Sequence, residues 1–376
     1  MTVSLRDGAK LLGIAVMSGC AVFVCTFFLN FYLDARAVRG LVEESVLPLY
    51  EAQILTAKLV CAISGGCLLL VSVVLLAFYV KLYIDSHAKQ IGILKALGYD
   101  GGKIALGFWV FGLSVLIGTA VGHGCGYAIS PMIYRKMGGE GLPEIPLAFH
   151  GELLVFLVLL PTVAFAALAV GLACRRLRAP ALSLMREKES AAGGGKPPRR
   201  ELPFPRELRA ATLKSKKSLV FFVGFACFCF SSMLQMSASM GDVASETMGA
   251  IIFGIGIVLA ATSLILAFTS LVTANARAVA VMRAHGYTLM QCGGTVLGGY
   301  RIPAYIGFAL GTAYQYGLLK LMLGVVFRGV EGVPAYSFDW PVFGIVLAAF
   351  AVLFELALLW FTREMGKTSV RKLCAE

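Results

Sequence analysis

The sequence predicts an all-α integral membrane protein with eight transmembrane helices, arranged as a parallel 4+4 repeat. Three observations predict it. The 376 residues are 59% hydrophobic and only 14% charged, with a mean hydropathy of +0.83; a soluble domain carries about a quarter charged residues to meet water. Apolar runs of more than about 18 residues recur, each able to cross a hydrocarbon core of roughly 30 Å as a helix. Two short landmarks also return in the second half at one fixed interval.

Taken in order, the runs place spans at about 11–33, 57–83, 104–130, 152–174, 219–240, 248–274, 291–324 and 341–362. The first is expected to stay as a span. Its apolar run from Leu11 to Leu33 is too long for a signal peptide core, and Phe28, Leu29 and Tyr32 offer no small-residue cleavage site. The third is glycine-rich, and Gly118, Gly122 and Gly126 make a small-residue face suited to close packing within the chain. Gly294 and Gly298 suggest the same for the seventh. The outside connections, the longest at about 34–56, 131–151 and 325–340, are too small for a folded ectodomain.

Most of the 33 Lys and Arg residues fall on one side of these spans. They include Arg6 and Lys10, then Lys81, Lys89, Lys95 and Lys103 after the second span, and a dense run from Arg175 to Lys217 after the fourth. Arg277 and Arg283 follow the sixth, and Arg363 to Lys372 the eighth. Basic residues mark the cytoplasmic side, so both termini are expected in the cytoplasm, with the chain in the plasma membrane. Topology and attraction to anionic lipid account for the net charge of +12, and nucleic acid is not an expected partner. The ten cysteines avoid the outside connections, which implies no disulfide framework. Cys227 and Cys229 point different ways on a helix, and His87, His123, His150 and His285 form no cluster, so no metal site is expected.

Lys95-Ala96-Leu97-Gly98-Tyr99 follows the second span and Arg283-Ala284-His285-Gly286-Tyr287 the sixth, with the two glycines 188 residues apart. The same interval relates Leu182-Ser183-Leu184-Met185 to Val370-Arg371-Lys372-Leu373. Each half has an even number of spans and starts on the same side, so the repeat is parallel. It divides the chain into a four-helix unit, 1–186, a Gly/Pro/basic linker, 187–206, and a second four-helix unit, 207–376. Gly193-Gly194-Gly195 and Pro197-Pro198 cannot bury a core. Arg206 to Lys217 reads as a basic amphipathic segment at the interface, and Ser4 to Lys10 plays that part in the first half.

The most informative stretch is Asp85 to Asp100. Ile91, Leu94 and Leu97 recur at three-residue spacing on one face of a short helix. Gly98 is placed to stop that helix, and Asp100-Gly101-Gly102-Lys103 turns the chain back. Such a helix leaves an apolar face wet unless a partner or lipid covers it. With the glycine-rich third span, Lys89-Gln90-Ile91-Gly92-Ile93-Leu94-Lys95-Ala96-Leu97-Gly98 resembles the FtsX-like permease domain of the MacB-type ABC transporter superfamily. The resemblance covers 57–185 and, more weakly, 248–373, where Ala280 to Tyr287 keeps the pattern's shape without its Ile-Gly-Ile core.

The resemblance implies a cytoplasmic coupling helix that docks on an ABC ATPase. Carried over residue by residue, it assigns ATPase contacts to Ile91, Gly92, Ile93, Leu94, Lys95, Ala96, Leu97 and Gly98, and to Val281, Met282, Arg283, Ala284, His285 and Gly286. Two copies of a cytoplasmic ATPase, holding ATP and Mg²⁺, are the implied partners. Membrane lipid, and a second permease or an extracytoplasmic partner, are further ones. Two features depart from the family pattern. No large ectodomain separates the first two spans of a unit, and no acidic residue stands early in the third span, where the second copy has Arg301.

Arg301 lies about ten residues into the seventh predicted span, where a cation costs several kcal/mol. Glu355, about seven residues before the cytoplasmic end of the eighth, runs at comparable depth and is expected to pair with it. No catalytic constellation is present. Gly366-Lys367-Thr368 has Phe361 where a P-loop needs glycine, and Gly254-Ile255-Gly256 lies inside an apolar span. With the resemblance, this implies a non-catalytic subunit that binds no cofactor and couples a partner's ATP hydrolysis to export or extraction of a lipid, hydrophobic compound or antimicrobial peptide. Two alternatives compete: force transmission to an extracytoplasmic partner without transport, and ion-coupled secondary transport, for which the spans hold few acids.

Overall fold

The computed structural model describes residues 5–42, 44, 47–137, 145–178, 180, 204–240, 246–326 and 337–367. Most of the linker, the Leu182–Met185 and Val370–Leu373 landmark, and 138–144 and 327–336 of the outside connections lie outside the described residues. Every regular element among the described residues is helical, as lipid demands of a backbone that must satisfy its own hydrogen bonds. The first half holds α1 (Leu5–Val38), α2 (Leu47–Ser86), α3 (Ala88–Ala96), α4 (Gly101–Leu106), α5 (Val110–Met137), α6 (Gly151–Leu154) and α7 (Leu160–Arg176). The second holds α8 (Phe204–Ser215), α9 (Lys217–Met240), α10 (Glu246–Ala284), α11 (Leu289–Val296), α12 (Arg301–Val326) and α13 (Trp340–Lys367).

Among the described residues six stretches are long and apolar enough to cross a membrane, where the sequence leads one to expect eight. They are Leu11–Val38, Gly101–Met132, Gly151–Arg176, Lys217–Ser239, Phe253–Ala276 and Trp340–Arg363. α2 and α3 contribute a bent pair, Val71–Asp85 with Gln90–Ala96, turned by 69°. In α12 the charged Arg301 and Lys320, with Thr312 and Gln315 between them, dilute the apolar character. Trp340 and Trp360 stand exposed near the two ends of α13. Their separation along the helix, roughly 30 Å, matches a hydrocarbon core flanked by aromatic belts.

The third helix of each repeat is entered through a 3₁₀ turn. A 3₁₀ turn, Gly107–Trp109, separates α4 from α5, and another, Gly298–Tyr300, stands between α11 and α12. The predicted span 291–324 is thus regular α-helix up to Val296 and from Arg301 on, with a 3₁₀ turn between. Gly293, Gly294, Gly298 and Gly299 explain this, since each weakens a helix by close to 1 kcal/mol relative to alanine. Arg301 follows that turn as the first residue of α12. Ahead of α7, a π-helical turn at Val155–Leu159 accommodates Pro161, which has no N–H for a regular ladder.

Contacts divide the chain into two compact units. One is Met1–Met185 with Met240–Ile255 and Gly317–Ser337; the other is Arg186–Ser239 with Gly256–Tyr316 and Phe338–Glu376. Each is closed by a helix pair in backbone contact. In the first, a Cβ on Gly122 would fall on the Gly19 carbonyl, and one on Gly126 would lie 3.1 Å from the Phe23 oxygen and beside Thr26. In the second, a Cβ on Gly307 would fall on the Gly224 carbonyl, and one on Gly311 on the Phe228 carbonyl and the Ser231 Cβ. Small residues four apart thus bring α1 against α5 and α9 against α12 in the same way. The second seam is not at Gly294 and Gly298, because Gly294 has nothing within 4 Å.

Beyond the glycines each seam turns polar. Thr26, Asn30 and Asp34 follow at four-residue spacing on α1, and Ser231, Gln235 and Ser239 on α9, all buried. Thr26 Oγ1 and His123 Nδ1 share a hydrogen bond of 3.0 Å. Gln235 donates to Ser231 and Thr312, both at 2.8 Å. The Asp34 side chain is 1% exposed. It accepts from Tyr134 Oη at 3.2 Å, from His150 Nε2 at 2.9 Å and from the Ala148 N–H at 3.4 Å. These donors satisfy the buried oxygens of Asp34, which would otherwise carry the desolvation cost alone.

Candidate functional site

α2 ends where His87 folds back onto it. Its Nδ1 lies 3.0 Å from the Tyr83 carbonyl oxygen, and its ring stacks on Tyr83. α3 then restarts at an angle and stops at Gly98, whose φ of +91° is a conformation costly for any L side chain. The Gly98 N–H reaches the Lys95 carbonyl at 3.0 Å and the Tyr99 N–H the Leu94 carbonyl at 3.1 Å, which is a Schellman cap. Asp100 next accepts from the Gly102 N–H at 3.1 Å and starts α4.

The second half builds the same stop without the bend. α10 runs on to Ala284, and Gly286, with φ +86°, ends it. Its N–H bonds the Arg283 carbonyl at 3.0 Å, and the Tyr287 N–H bonds that of Met282 at 3.2 Å. Thr288 and Gln291 form a capping box that opens α11. Among the described residues Gly98 and Gly286 alone have positive φ. What repeats is therefore a backbone geometry, carried by few identical side chains.

The turns present only part of the expected contact set. Ile91, 0% exposed, points inward with Gly92 and Met282, so these residues anchor the turns from within. The Ile91, Leu94, Leu97 stripe climbs outward: Leu94 is half-buried and Leu97 is 72% exposed. Ile93, Ala96, Leu97, Gly98 and Tyr99 form the first exposed tip, and Val281, Ala284, His285 and Gly286 the second. Lys95 and Arg283 are half-buried. Lys95 Nζ donates to the Leu177 carbonyl at 2.7 Å, tying the first turn to the end of α7. No local sequence signal announces that tie. Lys216, between α8 and α9, donates to the Ala274 carbonyl and to Asn275 Oδ1 on α10, the latter at 2.9 Å. Burial pulls its ammonium down to about 8 from the ordinary 10.5.

The structure also brings Arg301 and Glu355 together. Nη2 donates to Oε2 at 2.6 Å, and the side chains are 50% and 39% exposed. The pair links the start of α12 to α13, about 7.5 Å along that helix from Trp360. Among the described residues no group of three or more His, Cys, Asp or Glu could hold a metal ion, and the cysteines carry no disulfide.

Apolar helices that cross a membrane several times, with one capped turn built twice, define a multi-pass membrane subunit of permease type. The chain belongs to the FtsX-like permease family: the model of the FtsX-like permease C-terminal family matches residues 62–181 and again 250–370. The two matches start 188 residues apart, the interval that separates Gly98 from Gly286, so the chain contains two FtsX-like units. Membership implies an ABC ATPase partner in general. Neither the curated proteins nor the solved structures contain a match to the chain.

Proposed function

We propose that this chain is the permease subunit of an ABC transporter, crossing the membrane eight times as a 4+4 repeat with both termini in the cytoplasm, and that two ATPase subunits grip its two glycine-capped turns. The observation that carries this reading is the Schellman-capped turn with an exposed apolar tip, built twice at one interval. An exposed leucine or tyrosine on a water-facing tip gains roughly 1.5–3 kcal/mol when a partner's cleft covers it fully. Force on the first turn reaches α7 through the Lys95–Leu177 bond. Force on the second enters α10 directly, because no bend intervenes.

ATP and Mg²⁺ belong to the partner, and this chain supplies no catalytic group. With no ectodomain expected between its spans, it meets its cargo within the membrane or at the outer surface. A lipid, a hydrophobic compound or an antimicrobial peptide, exported or extracted, fits that geometry. Changing Leu97→Asp together with Val281→Asp lowers ATPase co-purification about tenfold while leaving the chain's own yield unchanged. ATPase recovered at the wild-type level would overturn the reading. Ile91→Asp is not an equivalent test, since it puts a carboxylate in a fully buried position and disrupts the turn itself.

A further inference from the structure

We propose that the second unit holds one anionic phospholipid by its headgroup, on Arg209 and Arg301 around the Gly298–Tyr300 turn. Arg209, on the amphipathic α8, lays its side chain over Gly299: a Cβ there would lie 3.1 Å from Arg209 Cγ and 3.2 Å from its Nε. Arg301 uses Nη2 on Glu355 and brings Nη1 to 4.0 Å from where Gly298 would carry a Cβ. Two guanidiniums from different helices therefore converge on adjacent buried glycines. One carboxylate, Glu355, bonds one of them, so the cluster keeps positive charge where Arg301 is half exposed.

The neighbouring surface selects the kind of anion. Ile302, Ile306 and Leu310 stand exposed at four-residue spacing along α12, an apolar stripe leading away from the arginines. A free anion needs only the charge, whereas a phospholipid uses both features. Its phosphate takes charge-assisted bonds from Arg209 and Nη1 of Arg301, and its acyl chain lies along the stripe. Glu355 stays on Nη2 and holds the Arg301 fork in place. The inference rests on the 4+4 topology proposed above, which puts α8 on the cytoplasmic side, where acidic lipid is concentrated.

The test places the full chain in phosphatidylcholine nanodiscs with or without phosphatidylglycerol and reads the thermal midpoint. Phosphatidylglycerol should raise the midpoint of the wild type. Arg209→Gln and Arg301→Gln should each weaken the lipid's apparent affinity about fivefold, and the double variant should lose the shift. Lys103→Gln, an exposed charge elsewhere, should keep it. A full shift in the double variant overturns the proposal, as does inorganic phosphate reproducing the shift in phosphatidylcholine alone. If the double variant does not fold, quenching of Trp360 by brominated lipid in a chain with Trp109 and Trp340 changed to Phe decides. Stronger quenching by brominated phosphatidylglycerol than by brominated phosphatidylcholine supports the site, and equal quenching overturns it. ATPase co-purification is unchanged in the double variant, which separates this proposal from the permease reading.

Discussion

Lys216 is a cation held at a helix junction against its own desolvation. Its folded value of about 8 lies below the ordinary 10.5, so between those values the unfolded chain binds more protons than the folded one. Stability therefore rises as pH climbs through that window, and the burial penalty is fully present below about 8. Lys216→Met should remove this contribution. Thermal midpoints of wild type and variant, measured from pH 7 upward, check it, and parallel profiles would contradict the assignment. At this scale the sequence shows some residues clearly and others not at all. Gly98 and Gly286 are legible because a glycine after an apolar stripe has one common use, the left-handed cap. Asp34 is not, because its partners Tyr134 and His150 stand 100 and 116 residues away and no periodicity joins them.

Among the elements, the two glycine seams decide how closely the helices of each unit approach. Leucine at Gly122 or Gly307 would have to displace the facing backbone, an overpacking that costs about 3 kcal/mol. Gly124→Ala, two residues from the first seam with nothing within 4 Å, should be tolerated. Thermal unfolding of the three variants in detergent separates these outcomes, and a Gly122→Leu protein as stable as Gly124→Ala would refute the seam. The first seam can be read from the spacing of Gly118, Gly122 and Gly126. The second cannot, because the same predicted span offers Gly294 and Gly298 as well as Gly307 and Gly311. Apolar periodicity does not show that the helix tightens into a 3₁₀ turn at Gly298. That turn makes Arg301 the first residue of α12.

For the molecule as a whole, the repeat is the part the sequence shows best, because one interval of 188 residues governs both the capped turns and the family matches. The differences between the halves are what it hides. α3 is a separate helix set off by the His87 stack, whereas its counterpart is the last turn of α10. The apolar stripe of α3 shows a face but not which of its residues turn inward, and Ile91 is the one fully covered. Pulling on the two turns would therefore load different helices.

The most direct measurement is photo-crosslinking in native membranes from a benzophenone side chain placed at Leu97 and, in a separate chain, at Val281. The expected result is an adduct to an ABC ATPase from both positions, with phosphatidylglycerol content making no difference. A functional chain that yields no ATPase adduct from either position would contradict the claim that these turns are where the motor takes hold.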